Sequence, residues 1–227
     1  MKVTLLIPTL NEVEGMKAIM PRIKREWVDQ IIVVDGNSTD GTIEYARGQG
    51  YFVLVQKAKG LVNAYKEALE VALGDVIMVF TPDGNSLPEV IPALVNKMRE
   101  GYDMVIVSRY LAGAKSYDDD AVTAFGNWMF TKMINILFGA HYTDTLVGFR
   151  AWKRGLFDDA IREEPALFSF EPFSAIKCAK LKLKVTEIPG DEPARIGGIR
   201  KMRPLVNGSY VVLMILKELF IPAKKAR

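Results

Sequence analysis

Short apolar segments alternate with amphipathic segments through the first half of the chain. The apolar segments are rich in Val, Ile, Leu and Phe, and Gly, Pro, Asn or Asp residues lie at or near their ends. Such segments are typical of buried strands in a parallel sheet. We therefore predict strands at residues 3–7, 31–34, 51–55, 76–80 and 104–107.

Helical patterns separate these strands. They cover residues 12–25, with an interruption at Pro21, and residues 42–49 and 61–73. Pro88 opens a further helix that runs to about Glu100, since proline is favoured in the first helical turn. This alternation predicts an α/β fold, a doubly wound and mostly parallel sheet with helices on both faces, in a single large domain.

The second half of the chain has a different pattern. Residues 111–120 are polar and end in three consecutive acids, Asp118, Asp119 and Asp120, which we interpret as a solvated loop. Residues 121–139 form a long apolar helix that is slightly short for a bilayer span. Core packing, membrane-surface contact and a dimer face are the alternatives for this helix.

The last predicted elements are a helix at residues 172–181, a strand at 185–188 and a helix at 204–220. The apolar part of that last helix is shorter than a bilayer span, and it suits a membrane interface.

The composition is that of a folded globular protein, with 49% hydrophobic and 25% charged residues. A net charge of +3 is too small to indicate nucleic-acid binding, and we expect no nucleic-acid partner. Basic residues are concentrated late in the chain, at Arg195, Arg200, Lys201, Arg203, Lys224, Lys225 and Arg227. This distribution suits a phosphate or an anionic lipid surface, although a solvated terminus explains the last few residues equally well.

Two residue types occur only once, as Cys178 and His141. A single cysteine excludes a disulfide framework and a Cys-based zinc site, and a single histidine excludes a multi-His metal site and most Ser-His chemistry. We expect Cys178 to be a core thiol and His141 to be structural. The stretch before Pro8 is too short for a signal sequence, so we expect a cytoplasmic location.

Two predicted strands are followed by an aspartate, which is Asp35 after residues 31–34 and Asp83 after residues 76–80. The carboxyl ends of parallel strands face the crevice in which open α/β sheets bind ligands. Asp35 is therefore a suitable acceptor for a base N–H or a ribose hydroxyl. Beyond it, Ser38 or Thr39 is predicted to cap the helix that begins near Thr42.

Asp83 is the best candidate for a metal ligand. Magnesium and manganese prefer hard oxygen ligands, and Asp83 and the amide oxygen of Asn85 are placed to share one ion beside a diphosphate. A simple Asp-Gly turn is the alternative interpretation.

Two loops complete the predicted crevice. Pro8 is predicted to end the first strand and Asn11 to cap the next helix, in a loop that forms one wall. Lys59 precedes a helix whose first backbone N–H groups attract anions, and a simple loop-to-helix turn is the alternative interpretation.

These motifs together resemble the family 2 inverting glycosyltransferases of GT-A fold, over nearly the whole chain. Within this family the chain most resembles the dolichyl-phosphate mannose synthase type, which moves a sugar from a nucleotide to a polyprenyl phosphate. The resemblance rests on residues 8–12, 33–42, 59–61 with Ala64, 83–89, 108–110, 148–151 and 195–201.

The resemblance implies a role for each candidate residue. Asp83 and Asn85 would hold Mg²⁺ or Mn²⁺ at the diphosphate, Arg109 would lie near the sugar and phosphates, and Arg150 would lie by the acceptor. The nucleotide would be held by Pro8, Asn11, Glu12, Asp35 and Lys59. Phosphate of the donor or acceptor would be bound by Arg195, Arg200 and Lys201.

The implied reaction transfers a sugar from a GDP- or UDP-linked donor to a polyprenyl phosphate, with inversion at the anomeric carbon. A lipid phosphate is already an anionic nucleophile and needs no strong base. A hydroxyl acceptor would need one, and Asp144 and Glu171 are the candidates.

Two alternatives remain. One is a soluble transferase that builds a polysaccharide or small glycoside. The other is a nucleotide-sugar binding protein without catalysis, suggested because the family usually has Asp-x-Asp where this chain has Thr81-Pro82-Asp83.

The resemblance also divides the chain. Residues 1–110 would form the nucleotide-sugar-binding half, residues 111–203 the acceptor-binding half, and residues 204–227 an amphipathic helix with a basic tail. We expect peripheral association with the inner face of the membrane, with a homodimer as a further alternative.

Overall fold

A computed structural model describes residues 1–163, 169–197 and 203–222. These residues form one seven-stranded sheet. Its strands are β1 (Val3–Thr9), β2 (Gln30–Asp35), β3 (Phe52–Val55), β4 (Val76–Val79), β5 (Met104–Ser108), β6 (Arg150–Lys153) and β7 (Val185–Pro189). The strand order is β3-β2-β1-β4-β6-β5-β7, and only the pairs that involve β6 are antiparallel. The predicted mostly parallel α/β sheet is confirmed.

Helices connect the strands. They are α1 (Val13–Ile19), α2 (Thr42–Gly48), α3 (Leu61–Val71), α4 (Ile91–Arg99), α5 (Ala121–Phe138), α6 (Asp158–Glu163), α7 (Phe170–Leu181) and α8 (Pro204–Phe220). The first predicted helix breaks as expected around Pro21, where the chain turns into a short 3₁₀ segment at Met20–Arg22. Proline favours this break because it has no N–H for the helical hydrogen bond.

Apolar layers cover both faces of the sheet. Leu5 and Ile7 of β1 pack on one face with side chains of α1 and α4, whereas Leu6 packs on the other face with α3 and α7. Successive strand residues point to opposite faces, so a strand that is covered on both sides must be apolar at every position. A third cluster joins α5, α7 and α8 through Phe130, Ile134, Ile176, Val211 and Ile215.

Strand β6 was not predicted. Its four residues, Arg-Ala-Trp-Lys, place a charged side chain at each end and contain no apolar run. Ala151 and Trp152 nevertheless pack on opposite faces of the sheet. The strand inserts antiparallel between β4 and β5, which are therefore not neighbours.

The end of β1 also differs from the prediction. The strand continues through Pro8 to Thr9 instead of ending at Pro8. β4 pairs with β1 only as far as Leu6. Pro8 therefore lies beyond the ladder on that side, where its missing N–H leaves no strand bond unmade.

Helix α1 lies directly against the loop that follows β4. A Cβ atom at Gly15 would lie 2.4 Å from the carbonyl oxygen of Pro82 and 3.0 Å from the Cα of Asp83. Both are backbone atoms, so the contact cannot be relieved by a side-chain rotation. Glycine at this position thus determines how closely α1 approaches Asp83.

The substitution Gly15→Ala should therefore lower the free energy of unfolding by about 1–3 kcal/mol, as overpacking typically does. The matched control is Gly48→Ala in α2, where a Cβ would meet no atom within 4 Å. The control should be unchanged or up to about 1 kcal/mol more stable, because alanine favours helices. Urea denaturation measures both values, and a Gly15→Ala variant as stable as the parent would contradict the tight packing.

Candidate active site

Asp35 ends β2 as predicted, but its side chain is fully buried. Its carboxylate accepts hydrogen bonds from Thr9 Oγ1 at 2.8 Å and from the backbone N and Oγ of Ser38, both at 2.7 Å. The structure therefore places Asp35 beneath the loops after β1 and β2, where it fixes their shape, rather than on the exposed wall of the crevice.

Asn11 connects these two loops. Its backbone N donates to Ser38 Oγ at 2.8 Å, and its Oδ1 accepts from the backbone N of Thr39 at 2.9 Å. Its φ of 54° lies in the left-handed region, which Asn tolerates better than most residues. The prediction that Asn11 caps α1 is wrong, because its side chain is used between the loops.

The carboxylate of Asp40 instead accepts hydrogen bonds from the first residue of each helix. It accepts from the backbone N of Val13 at 3.1 Å in α1 and from the backbone N of Thr42 at 3.0 Å in α2. The predicted capping of α2 by Ser38 or Thr39 is therefore wrong. Burial alone would raise the pKa of Asp40, but the hydrogen bonds from Thr42 and Val13 outweigh it and lower the pKa.

Hydrogen bonds from neighbouring side chains hold the loop that carries Lys59 in place. Gln56 Nε2 donates to the carbonyls of Ala58 at 3.0 Å and Gly60 at 2.9 Å, and Asn63 Nδ2 donates to the Lys59 carbonyl at 2.7 Å. The backbone N of Gln56 also donates to the Asp35 carbonyl at 2.8 Å. Lys59 itself is exposed at the start of α3.

Asp83 follows β4 and is 7% exposed. Its Oδ2 lies 2.8 Å from Arg195 Nη1, which is also 4.0 Å from Glu12 Oε1. Its carbonyl accepts from the backbone N of Ile196 at 2.9 Å. The fold thus brings together Glu12, Asp83 and Arg195, whereas Arg200 and Lys201 lie outside the described residues.

Asn85 lies beside Asp83 and is 9% exposed. Its backbone N donates to Asp83 Oδ1 at 3.2 Å, and its Nδ2 donates to Asp118 Oδ2 at 2.9 Å. Its Oδ1 is buried and has no donor among the residues that the structure describes. A buried oxygen of this kind, next to a carboxylate, fits a divalent cation. No group of three His, Cys, Asp or Glu side chains within the described ranges is arranged to hold a metal.

Arg109 follows β5 and is buried among three carboxylates. Its guanidinium forms a bidentate ion pair with Asp144. Nε donates to Oδ2 at 2.7 Å and Nη2 donates to Oδ1 at 3.1 Å. Asp119 and Glu192 lie 3.2 Å and 3.1 Å from Nη1. Burial opposes the charged form, but the attraction of these carboxylates outweighs it and raises the pKa of Arg109.

Asp144 is fully buried, and its carboxylate accepts several hydrogen bonds within the protein. Besides Arg109, it accepts from the backbone N of Leu146 and of Val147, each at 3.2 Å. Glu187 supports the same turn by accepting from the backbone N of Asp144 at 3.0 Å. Asp144 thus orients Arg109 together with Asp119 and Glu192.

Arg150 is 0% exposed, although it was predicted to lie by the acceptor. It donates to the carbonyls of Thr145, Val147 and Glu171 and to the hydroxyl of Ser174. A buried guanidinium requires such oxygens, so Arg150 ties β6 to the start of α7. The structure does not bring its side chain to the surface of the crevice.

The acidic run at residues 118–120 is only partly solvated, because Asp118 and Asp119 are partly buried whereas Asp120 is exposed. Asp118 contacts Asn85, Asp119 contacts Arg109, and Asp120 caps α5 by accepting from the backbone N of Thr123 at 2.8 Å. Asn85 is 33 positions from Asp118 and Arg109 is 10 positions from Asp119, so the local pattern of acids does not reveal these partners.

An apolar cavity of about 450 Å³ lies between α5, α8 and the start of α7. Phe125, Phe130 and Leu205 are among its lining residues, and Asn127 and Glu171 contribute polar groups. Burial raises the pKa of Glu171, against the opposing attraction of Arg150.

The outer sides of α5 and α8 expose large apolar side chains, which we call the apolar face. These side chains are Val122, Phe125, Trp128, Ile136, Leu205, Tyr210, Leu213, Leu216 and Phe220. The opposite side of each helix packs in the third hydrophobic cluster. Of the alternatives for residues 121–139, core packing therefore holds for one side of α5. Among the described residues, no helix combines the length and apolar character required to cross a bilayer.

The buried contact between Arg109 and Asp144 should be important for stability. Asp144→Asn removes one carboxylate from a buried guanidinium, and we expect the free energy of unfolding to fall by about 3 kcal/mol. The matched control is Asp158→Asn, which removes the partly exposed partner of Arg154 at 3.9 Å and should cost about 1 kcal/mol or less. Equal losses in urea denaturation would show that Asp144 is no more important than a surface carboxylate.

Glu171 should make stability depend on pH. Its raised pKa means that the folded chain binds more protons than the unfolded chain as the pH rises above the ordinary value of 4.5. Stability should therefore decrease with rising pH across that window. Glu171→Gln has no such proton to lose, so its unfolding free energy should decrease less over the same window. Parallel pH profiles of the two proteins, measured by chemical denaturation, would contradict this expectation.

Comparison with known proteins identifies the family. Residues 4–161 match the sequence model of Glycosyl transferase family 2. A glycosyltransferase named AglJ from Haloferax volcanii is 29% identical over 218 residues, which are 95% of this chain and 71% of that protein. Undecaprenyl-phosphate mannosyltransferase of Micrococcus luteus is 29% identical over 226 residues, which are 93% of this chain and 92% of that protein.

A solved structure with the same fold is glucosyl-3-phosphoglycerate synthase of Mycobacterium tuberculosis, in complex with Mn²⁺, UDP and phosphoglyceric acid. It aligns with a TM-score of 0.71 and 20% identity over 97% of this chain and 79% of that chain. The GT-A fold and the enzyme class are thus confirmed, and the similar proteins include polyprenyl-phosphate sugar transferases. The chain is a glycosyltransferase that belongs to glycosyl transferase family 2.

Proposed function

We propose that this enzyme transfers a sugar from a GDP- or UDP-linked donor to a polyprenyl phosphate at a membrane surface, with inversion at the anomeric carbon. The observation that supports this most is the proximity of the charged site to the apolar face. Asp118 contacts Asn85 at the site, and Val122 of the apolar face follows four residues later. Four residues span at most about 14 Å.

The donor would bind at the carboxyl ends of β1, β2 and β4. Pro8, Asn11 and Glu12 belong to the loop that would contact the nucleoside, and Asp35 would hold that loop in shape from beneath. Lys59, and the basic residues Arg195, Arg200 and Lys201, would pair with phosphate oxygens.

Asp83 and Asn85 would hold Mg²⁺ or Mn²⁺ beside the diphosphate. The bound ion would neutralise the charge that develops on the leaving nucleoside diphosphate. Structures of the Mycobacterium tuberculosis synthase contain UDP with Mn²⁺ or with Mg²⁺.

In the proposed reaction, a phosphate oxygen of the acceptor attacks the anomeric carbon from the face opposite the leaving group. A new carbon–oxygen bond forms while the bond to the diphosphate breaks, which inverts the configuration. The attacking oxygen is already anionic, so no residue has to remove a proton. This agrees with the geometry of Asp144, whose carboxylate is committed to Arg109.

The deciding experiment supplies the purified protein with GDP- and UDP-sugars, Mn²⁺ and either vesicles that contain polyprenyl phosphate or soluble hydroxyl acceptors. We expect a lipid-linked sugar of inverted anomeric configuration. Products formed only on soluble acceptors would support the alternative soluble transferase. Nucleotide binding without hydrolysis or transfer of any donor would support a binding protein.

The apolar face should mediate membrane binding. Leu213 is 62% exposed on α8, and burying a leucine in an apolar environment contributes about 1.5–3 kcal/mol. Leu213→Glu should therefore weaken binding to anionic phospholipid vesicles by about 10-fold or more. The matched control is Leu73→Glu, at a leucine that is 73% exposed beyond the end of α3. Vesicle flotation measures both variants, and equal binding would exclude the apolar face as the contact surface.

A further inference from the structure

The loop after β4 carries one carboxylate, Asp83, which already pairs with Arg195 at 2.8 Å. A second carboxylate reaches the same place from the loop after β5. Asp118 Oδ2 lies 2.9 Å from Asn85 Nδ2, across 33 positions of sequence. Among the described residues, no Lys or Arg nitrogen forms an ion pair with the Asp118 carboxylate within 4 Å.

Asn85 lies between these two carboxylates. Its backbone N donates to Asp83 and its Nδ2 donates to Asp118, while its buried Oδ1 has no donor in the described part of the chain. A buried acceptor without a donor is costly, because it has lost its hydrogen bonds to water and gained none in the protein. Its position next to two carboxylates indicates a cation-binding cluster rather than a packing defect.

The neighbours of Asp118 hold it in this position. Asp119 pairs with Arg109 at 3.2 Å and accepts from the Tyr110 hydroxyl at 2.5 Å. Asp120 accepts from the backbone N of Thr123 at the start of α5. Because both flanking residues are anchored, the chain directs Asp118 towards Asn85.

We propose that Asp118 belongs to the divalent-metal site, where it supplies the second carboxylate beside Asp83 and the amide oxygen of Asn85. Two carboxylates and one amide form a set of hard oxygen ligands that suits Mn²⁺ or Mg²⁺, with water and diphosphate oxygens completing the coordination. This inference rests on the proposed function, which places a metal and a nucleoside diphosphate at this site.

The test measures Mn²⁺ affinity of the full chain with saturating UDP or GDP, by electron paramagnetic resonance of free Mn²⁺. Asp118→Asn and Asp118→Ala should each weaken Mn²⁺ binding by about 10-fold or more, a loss typical of residues that support a metal. The matched control is Asp191→Asn, which also removes a carboxylate that braces this loop, through the backbone N of Lys115 at 2.9 Å. The control should bind Mn²⁺ like the parent.

Circular dichroism and the thermal midpoint without metal show whether each variant is folded. If Asp118→Ala unfolds, Asp118→Asn still provides the measurement, because it preserves the shape of the side chain. If Asp83→Asn weakens Mn²⁺ binding while both Asp118 variants bind like the parent, the assignment of Asp118 is overturned and the proposed function stands. If the parent chain binds no Mn²⁺ with either nucleotide, the metal assignments of Asp118, Asp83 and Asn85 all fail, and the transfer assay alone decides the proposed reaction.

Discussion

The burial of the Arg109 guanidinium is the constraint that holds together the loops after β5, before β6 and after β7. Moving a charged guanidinium out of water costs several kcal/mol, which is recovered only when its donors are satisfied. Here the partners come from three separate segments, because Asp119 follows β5, Asp144 precedes β6 and Glu192 follows β7. None of the three loops can change its conformation without exposing or unpairing this charge. The loops therefore behave as one assembly.

That assembly explains why three consecutive acids have three different functions. Asp119 is fixed by Arg109, so Asp118 on one side faces Asn85 and Asp120 on the other side caps α5. The sequence indicates a solvated loop because a run of like charges usually repels itself and remains in water. The structure separates these charges, since each of the three side chains meets its own partner.

The strands and helices that depend on local periodicity could be predicted from the sequence, and β1–β5, β7 and the helices α1–α5, α7 and α8 lie close to their predicted positions. β6 could not, because its four residues carry charges at both ends and are stabilised by the neighbouring strands. In the site, Asp83 and Asn85 lie at the predicted strand end. The burial of Asp35 and Arg150, and the hydrogen bonds that Asp40 accepts from α1 and α2, depend on contacts between distant loops. Such contacts leave no local pattern.

Helix α5 connects the charged site to the apolar face. Its N-terminus is capped by Asp120, while its inner side packs through Phe130 and Ile134 against α7 and α8. A helix that is anchored at its start and along one side holds its outer side at a fixed angle to the loop before it. Val122 and Phe125 are therefore held at a fixed position relative to Asp118. An acceptor whose lipid chain contacts these residues would present its phosphate from a constant direction, which a reaction by in-line displacement requires.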